Sequence, residues 1–406
     1  MSAANDTMNN PVSDEMKPVR NLLPISHLSG HHYDVLRSAV ANVLDTDIAR
    51  TTYAQILDGV PLASVAKDVS DYEFPFPGHP MLKEHLNLAP DVVAALEKLR
   101  ASVPLDTFRV DASTIVDFQA AGPGSRAFQT RLVELVARVL HAVAVWLYQT
   151  HSPLRPKDDR LLAWRPEQAE DAERLLKYSY RNGYPPTFFI HPWYKAYDQY
   201  PNGVADGVGY WAEDRILGGV VLFDRRGPEA PDTIYEASQL TEAVYLPKQS
   251  DALYFHSNAW DVTYRIYRLR DEQKQQLVQF LLSSAGASTP LPQTSSSSSS
   301  CPLPIRGDEN NRVRIDPEEP IRMTGIYRDA WERRAFAEGD WDPRNRDVVN
   351  LFDFLSCEGF SEAFRRSMRM RERFDEEEEE RERQQLEAQG EGNEHRNSRT
   401  PTPERE

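Results

Sequence analysis

Apolar residues recur at helical spacing through the first half of the chain and give way to aromatic and β-branched runs in the second. Over 33–57, Val35, Leu36, Val40, Val43, Leu44 and Ile48 fall on one helical face, followed by Tyr53, Ile56 and Leu57, until Gly59 stops the pattern. One or two amphipathic helices are expected there. Pro75, Pro77 and Pro80 break regular structure, while Pro90 followed by Asp91 favours a helix running to about Leu99. The β-branched content of 113–118 predicts a short buried strand. Gly122-Pro123-Gly124-Ser125 then leads into the most apolar stretch, 132–148, interrupted by Glu134, Arg138 and His141. It falls short of the ~20 clean apolar residues of a membrane span and is expected to be a core helix. A short helix over 166–178 should turn Leu175 and Leu176 inward.

After Gly183-Tyr184-Pro185-Pro186 the character of the chain changes. The run 207–223, GVGYWAEDRILGGVVLF, reads as a hairpin, with Glu213-Asp214-Arg215 as its solvated turn and Gly218-Gly219 as a bulge or close backbone approach. Further strands are expected at 243–246, 252–255 and 262–269. Successive strands without intervening helices predict an antiparallel sheet rather than a doubly wound parallel one. Asp271 and Glu272 then favour the N-terminal end of a closing helix, with Leu277, Phe280 and Leu281 on one face.

The expected fold class is α+β: a small antiparallel sheet, about residues 187–269, packed with N-terminal and flanking helices between disordered termini. Residues 1–24 read as a polar leader and 25–285 as the mixed core, helical over 31–180, sheet-rich over 187–269 and closed by a helix over 270–283. The core is expected to stop there, because the Ser-rich 286–301 cannot bury enough apolar area to offset its ordering entropy. Residues 302–364 carry Tyr327, Trp331, Phe336, Phe352, Phe354 and Phe360 and are expected to dock back on the core. Residues 365–406 read as a charged, disordered tail in which Arg365, Arg366, Arg369, Arg371 and Arg373 precede a glutamate run. Solenoid and propeller classes drop out, since the chain carries no internal repeat.

Charge alters this picture only once it is located. The chain carries a formal −16 over 406 residues, and 372–406 holds 13 acidic and 6 basic residues, a net of −7 that leaves −9 for the rest. A mildly acidic core without a basic face argues against direct nucleic-acid binding. The two cysteines, Cys301 and Cys357, have no partner at metal-ligand spacing and form no disulfide framework. The polar leader has neither a signal-peptide core nor an Arg-rich transit pattern, so a cytoplasmic or nuclear protein without a membrane span is expected.

Candidate chemistry centres on His191, Asp206, Asp224 and His256, because His and Asp on neighbouring strands are raw material for metal or acid/base sites. No pair among them has a diagnostic spacing. Each also has a structural reading: His191 as a turn residue, Asp224 as a strand-end residue answering Arg225 or Arg226, and Tyr210 and Trp211 as core aromatics. Gly122-Pro123-Gly124-Ser125 resembles an anion loop but has neither the P-loop ending nor dinucleotide-binding spacing, and Ser125 reads as a helix N-cap. The absence of nucleophile-elbow, zincin, kinase and Cys/His motifs weighs against the motif-driven enzyme classes. Thr400-Pro401 and Thr402-Pro403 have the form of proline-directed phosphorylation sites.

The block Tyr200-Pro201-Asn202-Gly203-Val204-Ala205-Asp206, continuing through Val208-Gly209-Tyr210-Trp211-Ala212-Glu213 to Gly218-Gly219-Val220-Val221-Leu222-Phe223-Asp224-Arg225, resembles an uncharacterised family of filamentous-fungal proteins. That resemblance spans about 187–334 and implies no fold, cofactor or catalytic residue. It does imply a lineage-specific role such as specialised metabolism. Two functions follow as expectations: a non-catalytic interaction or regulatory protein with a partner bound through the C-terminal region, or an accessory enzyme or ligand-binding protein of a fungal biosynthetic pathway.

Overall fold

The sheet at the centre of the molecule is antiparallel throughout, as the run of strand-like segments predicts. The computed structural model describes residues 20–68, 78–150, 186–227, 250–258, 263–283 and 301–333 apart from 312 and 320, with isolated residues at 161, 164 and between 361 and 386. The fold is α+β, and helices supply most of the buried interior.

The longest helix organises the rest. Helix α7 (Arg126–Thr150) starts where Ser125 Oγ accepts from Phe128 N at 3.1 Å, so the Gly-Pro-Gly-Ser turn serves as an N-cap. It is long and apolar enough to cross a membrane, yet two thirds of its apolar window is buried inside the protein. Around it pack α1 (Gly30–Leu44), α2 (Asp47–Asp58), α6 (Ala112–Ala120) and α8 (Val204–Leu217). Thr46 caps α2 through Ala49 N at 3.2 Å, and Gly59 ends it at φ +88°, a left-handed turn open to glycine. The short α3 (Ala63–Asp68) and α4 (Met81–Glu84) follow, and Pro90 opens α5 (Pro90–Arg100) at the first helical position, as expected. Helix α9 (Asp271–Leu282) docks on α1, where Asn42 Nδ2 donates to the terminal carbonyls of Phe280, Leu281 and Ser283 at 3.3, 3.2 and 2.7 Å.

Two short strands, β1 (Leu22–Pro24) and β2 (Arg109–Asp111), form a separate antiparallel pair. The main sheet has the order β6-β5-β4-β3-β7, built from β3 (Val220–Asp224), β4 (Leu253–His256), β5 (Ile266–Arg268), β6 (Arg314–Ile315) and β7 (Ile326–Tyr327). Both of its faces are buried. Val221, Phe223, Leu253 and Phe255 join the helical core, while Val220, Leu222, Tyr254 and Ile266 pack with Tyr194, Tyr200, Tyr210, Ile315 and Ile326. A helix of four residues, α10 (Ile321–Thr324), precedes β7.

Four sequence expectations are corrected. Residues 204–217 form a helix rather than the first arm of a hairpin, and Glu213-Asp214-Arg215 lies inside it with both acids buried, not on a solvated turn. The 113–118 run is helical within α6, because Asp111 caps it by accepting from Ser113 N at 2.9 Å. The core does not stop at 283: Leu303 and Ile305 enter it, and β6 and β7 complete the sheet. Residues 20–24 belong to the fold through β1 rather than to the leader. The described residues between 361 and 386 are helical and mostly exposed. The strand at 243–246, the helix at 166–178, the Ser-rich segment 286–300 and Thr400 and Thr402 lie outside the described residues.

Candidate functional site

Arg131, Glu134, Arg138 and His141 stand at i, i+3, i+7 and i+10 along α7 and line one stripe of an otherwise apolar helix. Glu134 is wholly buried and accepts from Arg131, from Arg138 Nη2 at 3.2 Å, from Arg225 and from Thr114 Oγ1 at 3.3 Å. Burial pushes its carboxyl up, and Arg225, Arg138 and Arg131 more than reverse this, leaving a pKa of about 2. Arg138 also donates to Asp329 Oδ1 at 2.9 Å. Burial would raise Asp329 as well, but Arg138 and Arg328 hold it far below the usual carboxylate range.

The second tier comes from α8 and the segment after β7. Arg328 Nη1 donates to both oxygens of Glu213 at 2.7 and 2.6 Å, and Glu213 Oε1 also accepts from Val221 N at 2.8 Å. Glu332 Oε2 accepts from Arg328 N at 2.9 Å. Its carboxyl is raised by burial despite the neighbouring arginines. Four carboxylates and the arginines between them thus join α7, α8, β3 and the segment after β7, so each buried charge meets its opposite.

His141 sits among these groups with Nε2 2.9 Å from Asp206 Oδ1 and Nδ1 3.9 Å from Glu213 Oε2. Tyr210 packs edge-on against its ring at 4.6 Å. The ring approaches α8 so closely that a Cβ on Gly209 would stand 2.6 Å from it, which accounts for glycine in mid-helix. Asp206 also accepts from Asn202 N at 2.7 Å and Asn202 Nδ2 at 3.0 Å. Burial favours its neutral form, yet these donors outweigh burial and lower the pKa.

An open cleft of about 410 Å³ lies over this network. Its length follows α7, from Arg138 and His141 past Ala142, Val145 and Trp146 to Gln149 and Thr150, so one end is charged and the middle apolar. Leu22, Arg109 and Val110 come from the β1–β2 pair and Phe108 from just before β2, Asp206 and Tyr210 from α8 and Asn202 from just before it, and Arg328, Asp329 and Trp331 from the C-terminal segment. Arg20 lies over the Trp331 ring, 4.3 Å from its centroid.

Of the four residues singled out in the sequence, Asp206 alone lines this cleft. His191 and His256 lie together elsewhere, ring centroids 5.5 Å apart and packed against Tyr194. His191 Nδ1 accepts from Trp193 N at 3.3 Å and Nε2 donates to His256 O at 3.2 Å, which fixes a neutral tautomer. Burial lowers its pKa to about 3 and takes His256 well below the ordinary value. Neither ring is placed to trade protons with solvent. Asp224 ends β3 in a two-point pair with Arg226, at 2.9 and 2.5 Å. The four do not converge on one cavity, and among the described residues no three His, Cys, Asp or Glu side chains are grouped to hold a metal ion.

Sequence reasoning noticed Glu134, Arg138 and His141 only as interruptions of an apolar run. Their spacing was the available signal, because charged groups recurring on one face of a core helix need partners inside the protein. Arg328 and Asp329 carried no such mark. Comparison with family models, with curated proteins and with solved structures finds no match for this chain.

Proposed function

We propose that this protein is a non-catalytic binding protein whose cleft along α7 takes a small organic molecule. The observation that carries the reading is the cleft itself: about 410 Å³, apolar in its middle, with convergent polar groups at one end. That volume falls in the roughly 300–1,000 Å³ range of small-ligand sites. The charges beneath it are already matched, so the polar end is rigid before a ligand arrives. The engagement of Asp206 also weighs against proton-transfer chemistry. Asp206 is held by His141 Nε2 and Asn202, while His141 Nδ1 is buried 3.9 Å from Glu213, away from the cleft's solvent.

The resemblance to filamentous-fungal proteins makes specialised metabolism the setting we assign to that ligand, and the low cysteine content favours the cytoplasm or nucleus. Equilibrium dialysis against extracts of the native host, read by mass spectrometry, tests the binding. Enrichment of a compound by the wild type but not by Ala142→Trp, which fills the cleft, is expected. Equal enrichment by both would overturn the reading. Loss of one metabolite family in a deletion strain tests the setting.

A second reading, a protein partner bound through the C-terminal region, draws on the exposed Phe364, Met368 and Leu386. Deleting 365–406 and comparing recovered partners tests it, and an unchanged list removes the tail from the function.

A further inference from the structure

Two arginines of the cleft differ from all the others in it. Arg138 and Arg328 are fully engaged by Glu134, Glu213 and Asp329. Arg20 and Arg109 are exposed and, among the described residues, ion-pair with no carboxylate. Arg109 donates to Leu22 O at 3.0 Å, which uses one N–H of its five. Arg20 holds its guanidinium over the Trp331 ring, 4.3 Å from the centroid, a contact that uses none of its N–H donors. In a chain of formal charge −16, unpaired cations beside an apolar channel are a local reversal of sign.

From this we infer that the cleft selects organic anions: molecules with one anionic head, held by Arg20 and Arg109, on a flat apolar body lying along Ala142, Val145 and Trp146. The inference rests on the binding reading above and adds the ligand class. A planar fork offering paired N–H donors matches the two or three oxygens of a carboxylate, sulfonate or phosphate. Neutral analogues of the same body lack that contact and keep only the apolar one. The matched charges beneath the cleft contribute no unpaired cation, so discrimination between anion and neutral falls on these two residues. Trp331 is a positioning residue, since its ring lies beneath the Arg20 guanidinium.

The test uses the full chain and two fluorescent probes of similar shape, 1-anilinonaphthalene-8-sulfonate, an anion, and N-phenyl-1-naphthylamine, which is neutral. The wild type is expected to bind the anion with the higher affinity. Arg20→Gln and Arg109→Gln, both at exposed positions, should each weaken the anion about tenfold, the usual scale of one hydrogen bond to a charged group, and leave the neutral probe within twofold. Trp331→Leu should follow Arg20→Gln. Ala142→Trp, checked for folding by circular dichroism, should abolish both. Equal losses for both probes in the arginine variants, with Ala142→Trp still blocking them, would overturn the anion inference and leave the binding reading standing. If a folded Ala142→Trp binds both probes as the wild type does, the binding reading fails and the inference with it. Saturable anion binding that appears only after removal of residues 1–19 would make the chain's own leader the occupant and likewise overturn the inference.

Discussion

Replacing Glu134 by glutamine separates the charge on this residue from its shape. Its carboxyl is fully buried, and folding takes its pKa from 4.5 to about 2. That difference corresponds to about 3 kcal/mol of stability at pH 7, the lower end of the ~3–5 kcal/mol lost when one member of a buried ion pair is removed. A carboxylate whose pKa is depressed by folding stabilises the protein above its unfolded value and loses that contribution as pH falls toward the folded one. At pH 3 roughly 1 kcal/mol should remain. Glutamine adds a separate cost, because its NH₂ group meets the guanidinium donors of Arg131, Arg138 or Arg225, and this mismatch does not change with pH. Urea unfolding of the wild type and Glu134→Gln at pH 7 and pH 3 reads both parts. The variant should lose about 3 kcal/mol or more at pH 7, and the gap should narrow by about 2 kcal/mol at pH 3. A gap under about 1 kcal/mol at pH 7, or one of the same size at both pH values, would refute the account of Glu134 as an ionised anchor.

Asp214 should behave in the opposite sense, because burial raises its carboxyl from 3.8 to about 7. Its contribution to stability is present below pH 3.8 and lost as pH rises through 7, so Asp214→Asn should raise the urea midpoint at pH 8 and do little at pH 4; a pH-independent effect would contradict this. Gly209→Ala would gain about 1 kcal/mol of helix propensity. A Cβ 2.6 Å from the His141 ring should instead cost about 1–3 kcal/mol net, and a raised melting temperature would show that the ring can retreat. Gly218, at φ +101° with Ile305 O 2.0 Å from a would-be Cβ, should accept no side chain, and an alanine variant that melts with the wild type would exclude that close approach.

The elements that were legible in the sequence are those with one dry face. Helices α1, α2, α5 and α9 show a stripe and a recognisable start, and α7 betrayed itself by length and by three polar interruptions. Helix α8 was not legible because Ala205 through Asp214 are buried without a break, so no polar face survives to set a period of 3.6. Its Gly207 and Gly209, which imitate strand or turn residues, are needed instead for the approach of Tyr197 and His141. In α6 a short β-branched run outweighed the Asp111 cap that decides the local structure. The site was only half legible: Asp206 was marked, but its partner His141 lies 65 positions earlier, and pairing across that distance leaves no trace in local spacing.

The order of strands in the main sheet bears on how the protein is made. Its middle strands, β3 to β5, come from 220–268, but both flanking strands come from 314–327. A nascent chain released from the ribosome only as far as α9 therefore carries a three-stranded sheet with two open hydrogen-bonding rims, the form in which β structure most readily pairs with a neighbour. During synthesis that interval lasts about 2–9 s at usual elongation rates. Truncation before Arg314 would make it permanent, so any product that keeps the whole sheet must include Tyr327.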